Sequence, residues 1–80
     1  MTGSPDINVT TLDVRPILAE GEEPFDAIMA ALASLTRDTS LELIAPFEPT
    51  PLYEVLEERG FAHETARGKE GEWVVTIRMA

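Results

Sequence analysis

Two hydrophobic periods alternate along the chain. Residues 9–14, VTTLDV, are rich in β-branched side chains and read as a short strand, with Leu12 and Val14 on one face and Asp13 and Arg15 on the other. Pro16 has no N–H to donate and stops the ladder, and residues 16–23, PILAEGEE, form a connector that turns at Gly21. From Pro24, placed in a first helical turn where its missing donor costs nothing, the period changes: Phe25, Ile28, Met29, Leu32 and Leu35 recur at helical spacing, with alanines between them. A polar break at residues 36–40 leads into alternation again, with Leu41, Leu43 and Ala45 on one face of a buried strand and Glu42 and Ile44 on the other.

The stretch PFEPTP, residues 46–51, carries three prolines and continues neither a sheet interior nor a helix, so it is a stiff loop. Thr50 as N-cap and Pro51 at the first helical position open a second helix, with Leu52, Val55 and Leu56 facing inward. Arg59 in its last turn and Gly60 beyond stop it. Residues 61–67 and 72–79 read as strands joined by the turn GKEG, with Trp73, Val75, Ile77 and Met79 on one face and Val74, Thr76 and Arg78 on the other.

The order β, α, β, α, β, β has few closed solutions. Right-handed crossovers progressing in one direction put both helices on the same face, and the last strand slots between the second and third. The expected fold is therefore α+β: a two-layer βαβαββ sandwich with a mixed four-stranded sheet ordered 1-2-4-3 and two helices on one face. Residues 1–8 are expected as a frayed leader and residues 9–80 as the single domain. Val74 and Ile44 fall on the uncovered sheet face, a surface available to a homodimer.

Composition narrows the chemistry. With 44% hydrophobic residues, the 80-residue chain can form a packed core, but a small one. Fifteen acids against six Lys and Arg give a net charge of −9, which repels phosphate backbones and anionic lipid, so neither nucleic acid nor membrane is an expected partner. The absence of cysteine excludes disulfides, thiolate metal sites and Cys nucleophiles. No apolar run is long enough to span a bilayer and the first residues carry no secretory pattern, so the expected location is cytoplasmic.

The candidate residues gather at the helix entrances. Glu22, Glu23 and Asp26 complement the positive end of the first helix and fall short of the oxygen set a calcium site needs, so no metal or cofactor is expected there. Phe47 lies among prolines at a strand's carboxyl end, a position where open α/β sheets bind ligands. It either closes the core beside Phe25 or stays exposed for docking. Asp13 and Arg15 share a strand face as an ion pair, unless Arg15 stacks on Trp73 or Tyr53. His63, the only histidine, is either a strand residue with no chemistry or an acid–base group, and the latter needs Glu23 or Glu48 within hydrogen-bond reach.

The segments LDVR (12–15), EPFDAIMAAL (23–32), APFEPTPLYEVLEERGFAH (45–63) and EW (72–73) together resemble the domain-of-unknown-function family 2249. That family is similar to the TusA-like sulfur-carrier fold, so the resemblance implies the same βαβαββ sandwich. The carriers bear Cys-Pro-x-Pro at the start of the first helix, where this chain has Glu23, Pro24, Phe25 and Asp26, and sulfur carriage does not transfer. Other members of the family carry histidines near these two loops, where this chain has Phe25 and Phe47. Some relatives occur beside hemerythrin-like and nitrogen-oxide-related proteins, which implies a redox-linked accessory setting.

The reading that unites these features is a non-enzymatic accessory module that binds a protein partner or small ligand. Phe25, Phe47, Pro24 and Pro49 supply contact, and Arg15, Glu23, Glu48 and His63 the polar groups. The alternative is a small redox-linked or acid–base enzyme domain using His63 with a nearby carboxylate.

Overall fold

Alternating burial along the two central strands sets the layers. A computed structural model describes residues 8–80. Its elements are β1 (Asn8–Asp13), α1 (Arg15–Ala19), α2 (Phe25–Ala33), β2 (Thr39–Ala45), α3 (Thr50–Glu58), β3 (Phe61–Arg67) and β4 (Trp73–Met79). Leu41, Leu43 and Ala45 of β2 are buried on the helix side, and β4 sets Ile77 beside Leu41 and Val75 beside Leu43. Ile28 and Leu32 of α2 and Leu52 and Leu56 of α3 cover them, and Val14 completes this core. The β2 strand reaches two residues further back than its apolar run, through Thr39 and Ser40.

The sheet runs β1-β2-β4-β3, the order expected. β1 and β2 pair in parallel, and β4 lies antiparallel to both β2 and β3. β3 therefore runs parallel to β1 and β2, so the carboxyl ends of three strands and the N-termini of α2 and α3 share one edge of the sandwich.

The structure departs from the sequence reading at element ends. Asn8, expected in the leader, begins β1; the leader otherwise lies outside the described residues. There are three helices among the described residues, not two, because part of the expected connector folds into α1. Pro16 ends the ladder but sits in the first turn of this helix, where no N–H is needed, and Leu18 N–H donates to the Val14 carbonyl at 3.0 Å. Gly21, at φ +80°, turns the chain away from it. Arg15 therefore opens a helix and does not share a strand face with Asp13.

Helix α2 stops at Ala33, and Leu35 lies beyond it, half-buried against the core after two tight bonds, Ser34 N–H to Ala31 and Leu35 N–H to Leu32, each 3.1 Å. Helix α3 begins one residue earlier than expected. Pro49 is its cap and Thr50 its first helical residue, with no side-chain cap bond, so Thr50 is not the N-cap. Arg59 is the C-cap, and Gly60 at φ +82° takes the left-handed position after it.

Ile44 and Val74 do lie together on the sheet face away from the helices, half-buried, with Ala66 next along the row. Asp13 ends that row; the neighbouring row is Thr11, Glu42, Thr76 and Glu64, and the one beyond is Val9, Ser40, Arg78 and Ala62, so polar side chains interrupt that face throughout.

Candidate functional site

Helices α2 and α3 follow successive crossovers and run side by side, and between their N-terminal halves lies an open groove of about 360 Å³. Ile28 lines it from α2; Leu52 and Val55 line it from α3. Phe47 and Pro49 of the proline-rich loop and Pro51 in the first turn of α3 close its mouth, facing Pro24 and Phe25 across the gap. Glu23 is the one charged side chain in the lining. Phe25 is 42% exposed and Phe47 54%, so neither ring closes the core. Fully burying such a ring is worth about 1.5–3 kcal/mol, and at these exposures roughly half of that gain is left unrealised in the isolated chain.

The loop carrying Phe47 is held from both sides. Thr50 N–H donates to the Glu48 carbonyl at 2.9 Å, and Leu52 N–H to that of Pro49 at 3.0 Å. The Tyr53 hydroxyl lies 3.3 Å from Glu48 Oε2. With Pro46, Pro49 and Pro51 fixing φ at three positions, the ring sits on backbone that loses little freedom when something packs on it. On the other side, Glu23 accepts a hydrogen bond from the Phe25 N–H, one of the unpaired donors at the start of α2. Its carboxylate thus serves the helix end, which fits the expected dipole role.

Five of the eight sequence-predicted site residues line the groove: Glu23, Pro24, Phe25, Phe47 and Pro49. The other three are engaged elsewhere. Glu48 bonds Tyr53 beside the mouth. Arg15 grips Asp13, with Nε on Oδ1 at 2.9 Å and Nη2 on Oδ2 at 2.7 Å, while its own N–H reaches Oδ1 at 3.0 Å. That clamp holds the Asp13 carboxyl below the usual carboxylate range and raises the Arg15 guanidinium, in each case chiefly through the side-chain hydrogen bond between them. Arg15 Nη1 also comes within 3.9 Å of Glu70. The expected ion pair is present, then, and the cation–π contact belongs to a different arginine: Arg67 stacks on Trp73 at 4.3 Å and donates to the Gly71 carbonyl.

His63 lies on the far side of α3. Leu52 and Val55 face the groove, whereas Tyr53, 100° further round the helix, turns to β3 and stacks on His63 with ring centroids 4.4 Å apart and planes at 13°. The Tyr53 hydroxyl then bonds Thr65 Oγ1 at 2.7 Å. Among the described residues no hydrogen bond joins His63 to Glu23 or Glu48, and no group of three or more His, Asp or Glu is placed to hold a metal ion. Tyr53, which the sequence suggests only as a stacking partner for Arg15, instead links Glu48, His63 and Thr65. Its signal was there, since it follows Leu52 directly and so falls to one side of the inward stripe. Ile28, Leu52 and Val55, inward-facing by helical spacing, also line the groove.

Comparison with family descriptions gives a match over residues 11–79, nearly the whole chain, to DUF2249, described as an uncharacterized conserved protein. Comparison with curated proteins and with solved structures gives no match.

Proposed function

The chain belongs to the DUF2249 family, and from that premise we propose that it is a non-catalytic, cytoplasmic accessory module that docks an apolar anchor of a partner or ligand between α2 and α3. One observation carries this reading. Two phenylalanines, each more than two-fifths exposed, flank the mouth of an apolar groove, one of them on a proline-stiffened loop. Exposed aromatics on rigid backbone are what a binding surface needs, because burial is gained with little ordering cost. A hydrolytic or redox centre would need converging polar groups, and the polar candidates instead serve the helix end, the Asp13 clamp and the Tyr53 stack.

The test compares wild type with Phe47→Ala and with His63→Ala as bait in extracts of the cells that make the protein. Phe47→Ala should lose the captured species while melting within about 2 °C of wild type, as expected for truncating an exposed side chain. His63→Ala should keep that species. Identical capture by wild type and Phe47→Ala, or loss with His63→Ala alone, would overturn the proposal.

A further inference from the structure

We propose that the occupant of this groove is a short amphipathic helix with basic flanks, an inference that rests on the docking reading above and narrows its partner. A second hollow of about 320 Å³ lies at the other end of the same helix pair, lined by Met29, Leu32, Ala33, Arg59 and Phe61. The two hollows share no lining residue, but both lie along the same helix pair and are taken together as one trough. Residues 25, 29 and 33 form a continuous i, i+4, i+8 ridge of α2, and residues 52, 55 and 59 an i, i+3, i+7 ridge of α3. The walls advance about 12 Å and about 10.5 Å at 1.5 Å per residue, the length of about two helical turns.

The walls decide the form of the occupant. Both are helices whose backbone groups are paired internally, so they offer no free edge to an extended peptide, and the amides of such a peptide would be left to water or unpaired. A helix satisfies its own backbone and brings an apolar ridge to the trough. The rim decides its charge. Glu23 lines the groove, and Glu22, Asp26, Glu48, Glu54 and Glu58, all exposed, are direct sequence neighbours of lining residues, whereas of the six Lys and Arg only Arg59 lines either hollow, at the end remote from Phe47. A partner flanked by Lys or Arg meets complementary charge there, and an acidic one meets repulsion added to the net −9 of the chain.

The experiment titrates wild type with three fluorescent twelve-residue peptides: one with Leu at i, i+4, i+7 and i+11 and Lys elsewhere, one of the same composition scrambled to break the ridge, and one with Glu in place of Lys. The first should saturate at one per chain, and both controls should bind at least tenfold more weakly. Phe47→Ala should weaken the first peptide, and the E54K/E58K double variant, which alters only exposed side chains of α3, should weaken it about fivefold to tenfold at low salt, less as salt rises. Equal binding of the scrambled peptide, or Leu/Lys binding insensitive to Phe47→Ala, would overturn the inference. So would equal binding of the Glu peptide; if that binding still depended on Phe47, docking in the groove would stand and only the basic helix would fall. Native capture that depends on Phe47, with no saturation by any of the three peptides, would separate the two in the same way.

Discussion

Phe47 and Leu56 show how differently two apolar side chains of α3 and its entrance are used. Leu56 is fully buried, and Leu56→Ala should cost about 2–5 kcal/mol in a urea melt, from lost transfer and the cavity left behind. Phe47 is 54% exposed, and truncating it should leave that melt nearly superimposable on wild type. The sequence left the position of Phe47 open, because a proline-flanked aromatic suits both a lid over the core and a projecting ring. The choice depends on the spacing between two helices, which no local pattern records. The Asp13–Arg15 clamp, by contrast, was readable as a pair from its spacing of two, although one partner moved from strand to helix. Because Arg15 holds the folded-state pKa of Asp13 below its unfolded value, the stabilisation is fully present above the unfolded value and is lost as pH falls through the lower folded one. Asp13→Asn should therefore be somewhat less stable than wild type at pH 7, with the gap closing below about pH 4, as measured by melts at several pH values.

Helix and strand interiors followed from periodicity, and their ends did not. The apolar i, i+3, i+4, i+7 run of α2 and the alternation of β4 each extend over several repeats, enough for one period to dominate. Helix α1 has five residues and a proline in its first turn, so it is shorter than any window in which a helical period can show. Thr39 and Ser40 belong to β2 because β1 and β4 offer them hydrogen-bond partners, a reason that lies in other parts of the chain. At the end of α3, Gly60 holds φ +82° with open space where a Cβ would stand. Gly60→Ala should thus cost only the backbone strain of an L-residue in the left-handed region, about 1–2 kcal/mol, with no added clash. A destabilisation well beyond that in a denaturant melt would mean that the turn between α3 and β3 cannot relax.

Strand order was the most accessible feature of the whole molecule, because two crossovers of fixed hand and one closing hairpin leave little choice, and 1-2-4-3 is what forms. The trough between the helices was the least accessible. Each of its walls is an ordinary amphipathic stripe, and only their separation turns the edges of two core-facing ridges into a surface. Net charge acts at the same scale. At −9 over 80 residues, self-repulsion opposes compaction, so added neutral salt should raise the melting temperature by about a few degrees as screening relieves it, outweighing the weakened Asp13–Arg15 pair. A bound partner would raise it further, in proportion to the logarithm of its concentration over Kd. The claim that the helix side of the sandwich is the working face is tested most directly by the amide spectrum of isotope-labelled protein in unlabelled extract from its own cells. The account predicts signal loss concentrated at residues 23–33 and 47–59. Loss concentrated instead on the opposite sheet face, at Thr11, Glu42, Ile44, Val74 and Thr76, would contradict it.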